Sequence, residues 1–504
     1  MNILILGAGI MQIPALKKAK EMGLFVLCAD GNPDAIGKNY CDVFYPIDIK
    51  DKNGLLEVAT KFHEKHGLNG VFTVGTDFSS SVAWITENLS LPGIKYQSAL
   101  NATDKIRMRS CFKESNIPSP SYVEYSSDMD IEMSIKGLSF PLVVKPVDSM
   151  GARGVVRVNS INELKDNVFN AIKFSRTSRA IIEEYIDGPE FSLDALIING
   201  EVHILGFADR IIEFPPYFVE MGHNIPTNIS EEDKKSIIEV FSKGIKSLGI
   251  DYGCAKGDMK LSENGPVIGE IAARLSGGYM SGWTFPYSSG IDLIKGGIQL
   301  SLGQDVTILE GDNLSMFSSE RSVISIPGYI KSIEQPKKNS KDIMNTYINV
   351  EVGDKVNFPI NNVEKCGNII SRSKDRKGAI KAAEQAVSDI LIRLEPNKWE
   401  TDKFLFNHQL DSTTAYDFEV ELLKGLDEDV EIDGKTIYVK KIDKILKSRK
   451  KDRQYRTVNS VIKKLSEYYN VEFIDDSSCG YDFYLSLING SLQGVLYYLD
   501  SLEI

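Results

Sequence analysis

The sequence predicts a multidomain chain of mixed α/β and α+β class, with a parallel-sheet α/β domain first, strand-rich α+β units after it, and an additional C-terminal α+β module. Three observations lead there. The opening "NILILGAGIMQIPALKKAKEMGLFVLCADGNP" reads as strand, glycine turn, amphipathic helix, strand, the alternation that builds a parallel sheet. From about Thr103 strands dominate and are punctuated by turn signals such as Asn199-Gly200, the mark of antiparallel hairpins. Finally, 504 residues exceed the roughly 250–300 at which a single core stops growing.

Composition narrows the function classes. With 42% hydrophobic and 25% charged residues the chain has the balance of a folded soluble protein. A formal net charge of −12 disfavours broad binding to nucleic acid or anionic membranes, which needs a basic surface. Small-molecule substrates are the better expectation. Cys28, Cys41, Cys111, Cys254, Cys366 and Cys479 are scattered without a Cys-x-x-Cys pair, so neither a zinc cluster nor a disulfide framework is expected. The thiols are read as reduced, the location as cytoplasmic, and no targeting or membrane-spanning segment is found.

The elements follow in order. "GVFTVGTDFSSSVAWITENL" adds a strand and helix to the first domain, expected over 1–102. Gly7 and Gly9 suggest a dinucleotide turn, but Gln12 stands where its third glycine belongs; Asp30, about twenty residues on, is the candidate for a ribose hydroxyl in that reading. The tight strand-to-helix turn of a substrate-side domain is the preferred alternative. A second domain is expected over 103–310, opening on the capped helix "TDKIRMRSCFKE". A closing subdomain of short strands is expected over 311–398 and ends in the helix "DRKGAIKAAEQAVSDILIRLE". The module 399–504 has a hairpin signal at Asp433-Gly434, an amphipathic helix around "YRTVNSVIKKLSEYY", and a basic run "KKIDKILKSRKKDRQYR" read as a solvated face.

Four stretches carry chemistry. Lys145 ends the apolar strand "FPLVVK" and precedes a loop whose Gly151 and Gly154 would let backbone N–H groups close over phosphates. It is not a Walker loop, because it lacks the Gly-Lys-Ser/Thr ending and lies between strands. "IIEEYIDGPEFSLDAL" offers Glu183, Glu184 and Ile186 at a strand end, with Glu190 just beyond; such a segment supplies backbone edges for a base and a carboxylate for ribose. "GDMKLSENGPVIGEIAARL" reads as two strands around Glu263–Gly265, bringing Asp258 opposite Glu270. Two carboxylates that close are tolerable only with a cation between them, and hard oxygens suit Mg²⁺. Last, "PPYFVEMGHNIPTN" holds Glu220 and His223.

In this order the motifs resemble the ATP-grasp superfamily of carboxylate–amine ligases over about residues 1–390, which implies an ATP-grasp fold preceded by a preATP-grasp domain. By that resemblance Lys105 and Lys145 are the phosphate-binding lysines, and Gly151 and Gly154 belong to the lid. Glu183, Glu184 and Ile186 form the adenine hinge, Glu190 takes the ribose, Asp258 and Glu270 hold Mg²⁺ (or Mn²⁺), and Arg274 steadies the acyl-phosphate. Ala272 stands where the family commonly has asparagine, as in members with Glu-x-Ala-x-Arg, and Ala152 where many relatives carry serine. Glu220 and His223 resemble the Glu-x-x-His element of L-amino-acid ligases that make dipeptides, and Gly277 and Gly278 fall in the stretch expected to shape the acceptor pocket.

The implied activity converts a small carboxylate into an acyl-phosphate with ATP and joins it to an amine, releasing ADP and phosphate. Lys145 and Arg274 are the expected catalytic residues. The partners are the carboxylate and amine, with no nucleic acid or membrane, in a chain that forms a homodimer or a monomer. Two other readings stay open: a purine-biosynthesis or carboxylase-type ATP-grasp enzyme, and a non-catalytic ATP-binding regulator.

Overall fold

The computed structural model describes residues 1–307, 315–335, 340–406, 458–469 and 481–502. They fall into two compact units, one made of 1–211, 222–320 and 370–380, the other of 212–221, 321–369 and the remainder from 381.

The first unit opens with four strands, β1 (Asn2–Leu6), β2 (Phe25–Ala29), β3 (Val43–Tyr45) and β4 (Gly70–Phe72), parallel and ordered β3-β2-β1-β4. Side chains alternate across a strand, so Ile3 and Ile5 pack with Ala15, Leu16 and Ala19 of α1 (Ile13–Glu21). Leu4 and Leu6 pack on the other face with Leu55 and Ala59 of α2 (Lys52–His66) and Ile85 of α3 (Ser79–Asn88). Covering both faces leaves the strands nearly free of polar side chains, the pattern of a parallel sheet. The Gly7 turn closes on itself: Gln12 Oε1 accepts from Gly9 N at 3.0 Å, and its Nε2 donates to the Val74 carbonyl at 2.5 Å. Asp30 accepts from Ala8 N at 2.7 Å and Asn32 N at 2.8 Å. The carboxylate that a dinucleotide reading would use is therefore spent on the turn itself.

After α4 (Tyr96–Thr103) and α5 (Lys105–Glu114), a lobe forms from β5 (Tyr122–Tyr125), α6 (Ile131–Ser134), β6 (Leu142–Pro146), β7 (Val156–Val158), α7 (Ile161–Phe174) and β8 (Ala180–Glu184). Its sheet is antiparallel, ordered β5-β8-β6-β7. Asp104 caps α5 by accepting from Ile106 N and Arg107 N, which fixes Lys105 as the first helical residue.

The next strands are β9 (Glu190–Ile198), β10 (Glu201–Glu213), β11 (Val219–Ile225), β12 (Gly253–Ser262) and β13 (Gly265–Ala272). Within this unit the antiparallel run is β13-β12-β9-β10. Asn199 and Gly200, at φ +52° and +81°, make the β9–β10 turn with positive φ at both central residues, as two-residue hairpins prefer. Phe191, Leu193 and Ala195 point to a core shared with Met108 and Phe112 of α5 and with Ile237, Phe241 and Ile245 of α8 (Glu231–Ser247). The alternate residues Glu190, Ser192 and Asp194 therefore share the opposite, polar face.

In the second unit the strand Gly328–Glu334 pairs antiparallel with Lys355–Val356 and with Leu391–Leu394. The expected helix through Glu395 is shorter than the sequence suggested. It ends at Ser388, and "LIRL" continues as a largely buried strand held by its pairing with Gly328–Glu334. The helix Val458–Tyr469 lies within the expected amphipathic segment; the Asp433-Gly434 hairpin signal and the basic run at 440–456 lie outside the described residues. Gln493, in the helix Tyr481–Ser501, ties that helix in by accepting from Ile326 N and donating to the Ile392 carbonyl. Among the described residues no helix is long and apolar enough to cross a membrane.

Candidate active site

The polar face of β9, β12 and β13 is the floor of the site. Asp258 pairs in register with Glu270, and Lys256 with Ala272. On the other side of β12, Asp258 pairs with Ser192, Lys256 with Asp194 and Lys260 with Glu190. Directly paired residues present their side chains on one face, so the two acids sit together. A bulge follows Asp258, with Gly269 as the extra residue, and a Cβ there would come within 3.0 Å of the Asp258 carbonyl oxygen. Glycine permits the close approach that keeps Asp258 and Glu270 opposed.

Each acid already meets a cation. Glu270 Oε1 lies 3.4 Å from Lys105 Nζ, which also donates to the Ser149 carbonyl at 3.1 Å. Asp258 Oδ1 lies 3.0 Å from Arg210 Nη1, and its Oδ2 lies 2.5 Å from Lys256 Nζ. Arg210 also reaches Glu190 Oε2 at 3.4 Å, while Lys260 joins Glu190 Oε1 at 2.9 Å to the Ile186 carbonyl at 2.8 Å.

A second cluster centres on Glu183, 2% exposed. Its carboxylate takes Arg109 Nε at 2.8 Å and Lys145 Nζ at 2.6 Å, and Arg109 Nη2 donates to the carbonyl of the bulged Gly269 at 2.7 Å. Burial alone would raise the Glu183 pKa, but the charges of Arg109 and Lys145 outweigh it and hold the carboxyl below its usual range. Burial, helped by Arg109 and Lys105, pushes the Lys145 ammonium pKa below that of a free lysine, against the pull of Glu183. Glu184 turns away to accept from Ser139 N at 3.1 Å. In the loop after Lys145, Gly151, Ala152 and Gly154 have φ of +70°, +59° and +68°. A Cβ on Gly154 would also meet the Phe174 ring at 2.9 Å, so only glycine fits there.

A third cluster surrounds Arg274. Its Nε and Nη2 donate to Asp77 Oδ1 at 2.9 and 2.5 Å. Burial opposes ionisation of Asp77, but Arg274, Lys105 and Lys256 outweigh it and lower its pKa. The loop beyond Arg274 is anchored by the buried Asp194, which accepts from Ser276 N, Ser276 Oγ and Ser281 Oγ. Burial raises the Asp194 pKa despite these bonds. Gly277 packs on Gly75, where a Cβ would meet the Gly75 Cα at 3.1 Å; Gly278 has φ +59°.

Glu220 and His223 are described within separate units. Glu220 is buried in the second unit, its N donating to Asn362 Oδ1 at 2.8 Å and its carbonyl accepting from Lys365 Nζ at 2.9 Å. His223 is fully buried in the first, with Nδ1 3.1 Å from Glu320 Oε2.

The structure thus gathers Lys105, Asp258 and Glu270 in one cluster, Lys145 and Glu183 in another, and Arg274 beside Gly277. Sequence reasoning missed Asp77, Arg109, Asp194, Arg210 and Lys256. Only strand alternation pointed to any of them, since Asp194 and Lys256 fall in phase with Glu190 and Asp258.

Comparison with known proteins bears on the fold. The ATP-grasp domain family matches residues 138–282, and L-amino acid ligase C-terminal domain 2 matches residues 322–395. The chain thus has one segment similar to each of these two domain families. Alanine–anticapsin ligase of Bacillus subtilis is 25% identical over 253 residues, covering 45% of this chain and 53% of that protein. The L-amino acid ligase of Bacillus licheniformis superposes with a TM-score of 0.68 at 22% identity, over 78% of this chain and 98% of that one. Phosphoribosylglycinamide synthetase of Anaerococcus prevotii gives 0.62 at 21%, over 78% and 99%. The fold is the ATP-grasp fold. The chain spans about half the length of the curated relatives it matches first.

Proposed function

We propose that this protein is an ATP- and Mg²⁺-dependent ligase that activates a small carboxylate, an amino acid, as an acyl-phosphate and joins it to an amine, forming ADP and phosphate. The observation that carries this reading is the opposition of Asp258 and Glu270 on a face ringed by Lys105, Lys256 and Arg210. The choice of an amino acid rests on the L-amino acid ligase C-terminal domain and on the likeness to alanine–anticapsin ligase.

The donor set fits a hard divalent cation, because Mg²⁺ and Mn²⁺ take one or two carboxylates and complete their shell with phosphate oxygens and water. When bound, the ion supplies charge neutralisation at the phosphates. The chain's own residues do the rest. Lys105 and Lys145 hold phosphate oxygens, and Gly151 and Gly154 give the loop above them backbone N–H groups free of Cβ obstruction. Ile186 and Glu184 frame the base, and Glu190 takes the ribose hydroxyls. Glu183 positions Lys145 through its 2.6 Å contact. Arg274, oriented by Asp77, stabilises the oxyanion as the amine attacks.

Among the described residues, a covalent acyl-enzyme is disfavoured at the buried cysteines. Burial pushes Cys366 up to about 12 and raises Cys28 and Cys254 further, whereas the thiolate is the nucleophile.

Incubation with Mg-ATP and a panel of amino acids, with hydroxylamine as acceptor, tests the proposal. ADP, phosphate and an amino-acid hydroxamate are expected together. ADP formation that no carboxylate stimulates would remove the ligase reading.

A further inference from the structure

Ser192 carries an unused hydroxyl in the floor of the site. It lies on β9 between Glu190 and Asp194 and is fully buried, and among the described residues its Oγ has no hydrogen-bond partner. A buried polar atom without a partner is unfavourable, and native proteins keep few of them. Such a group is either a flaw of the strand or one whose partner becomes available when the site is filled.

The neighbours of Ser192 decide between the two. In register across the sheet it pairs with Ala208 of β10, which offers only a methyl group, and with Asp258 of β12. Directly paired residues hold their Cβ atoms about 5 Å apart, whereas Glu190 and Asp194, two positions along the same strand, are about 6.5 Å away. Asp258 is therefore the acid within closest reach. Its carboxylate is engaged elsewhere, with Oδ1 3.0 Å from Arg210 Nη1 and Oδ2 2.5 Å from Lys256 Nζ. Asp194 accepts from Ser276 and Ser281, and Glu190 meets Arg210 and Lys260. A hydroxyl donor thus stands among three carboxylates, each held by other groups.

A divalent cation changes this balance. On Asp258 it would compete with the guanidinium and the ammonium for the same two oxygens, and loosening either contact opens an oxygen to a new donor. A carboxylate that binds a metal is oriented by the groups that hold its remaining lone pairs. Ser192 is placed to be such a group.

We propose that Ser192 is a positioning residue for the metal: with the ion bound, its hydroxyl donates to Asp258 and fixes that carboxylate opposite Glu270. The inference rests on the ligase reading above. It explains the unpaired hydroxyl of the free protein as stability given up for metal binding.

The test compares full-length wild type with Ser192→Ala in two measurements: calorimetric titration of the β,γ-imido analogue of ATP with and without Mn²⁺, and thermal melting of the free protein. In wild type, Mn²⁺ should tighten binding of the analogue. In Ser192→Ala that tightening should fall by about 10-fold or more, the usual loss when a group orienting a metal ligand is removed, with the metal-free affinity unchanged. Free Ser192→Ala should melt no lower than wild type, because no hydrogen bond is lost. A role in the fold alone gives the reverse, a lower melting temperature with the effect of Mn²⁺ intact. Tightening by Mn²⁺ equal to that of wild type would overturn the inference and leave the ligase reading standing, as would a free variant that melts several degrees lower. Absence of any tightening in wild type would sink both readings.

Discussion

Arg274 grips Asp77 through two nitrogens, at 2.9 and 2.5 Å, across 197 positions of sequence. One partner ends the β12–β13 hairpin and the other follows β4 of the parallel sheet. The same junction is drawn tight at Val74 and Leu275, which form an isolated parallel bridge, and by Gly75 N donating to the Leu275 carbonyl at 3.1 Å. In the proposed reaction the arginine assigned to the reacting phosphate is thus aimed by a residue of the α/β domain.

Asp77→Asn should destabilise the chain by about 3 kcal/mol at neutral pH, since it leaves a largely buried guanidinium short of its counter-charge. The pH dependence has a definite sign. The folded pKa of Asp77 lies below its ordinary value, because Arg274 and its neighbours outweigh burial. The contribution is therefore complete above the unfolded pKa of about 3.9 and is lost as pH falls through the folded value. Urea unfolding of wild type and variant should show their difference shrinking as pH falls below about 4. A difference that stays constant with pH would contradict the pairing.

Arg109→Met should be more damaging, because it removes one of the two cations that hold the buried Glu183 and takes the donor from the Gly269 carbonyl at once. A loss of about 3–5 kcal/mol is expected from breaking a buried pair. In the folded fraction the KM for ATP should rise, because Glu183, the partner of Lys145, is no longer held in place by Arg109. Arg109→Lys keeps the charge but not the fork, so denaturation and ATP saturation curves should place it between wild type and Arg109→Met.

Gly277→Ala should lower the melting temperature by the few degrees that about 1–3 kcal/mol of overpacking produces. Its Cβ meets the Gly75 backbone at 3.1–3.3 Å, and backbone cannot give way as a side chain tip can. Calorimetry of this variant beside Gly265→Ala, which meets nothing within 4 Å but has φ +104°, separates packing from backbone strain.

The parts of the site legible in the sequence are those set by local pattern. Asp258 comes beside Glu270 because a short turn pairs the two strands, although the turn's own register would set it opposite Gly269 and the bulge there brings Glu270 into place; the Asn199-Gly200 turn follows from its two residues. The parallel character of the opening sheet is legible in the alternation of strand and helix. What stayed hidden depends on partners far along the chain. Arg109 is buried by Glu183, 74 residues away, and reads in isolation as one more charge on an amphipathic helix. Asp194 falls in phase with Glu190 along its strand, but its bonds come from Ser276 and Ser281, 82 and 87 positions away. The strand at Leu391–Leu394 was read as helix because a strong helical period runs up to Ser388, and pairing with Gly328–Glu334 then overrides it.

The most direct test of the account is ADP formation by Glu270→Gln, measured with Mg-ATP and the amino acid that gives most hydroxamate in wild type. The substitution keeps size and hydrogen bonding but removes one of the two opposed charges. The account predicts that nucleotide still binds while ADP release falls by at least about 10²-fold. Turnover close to that of wild type would contradict the assignment of Asp258 and Glu270 as the centre of the reaction.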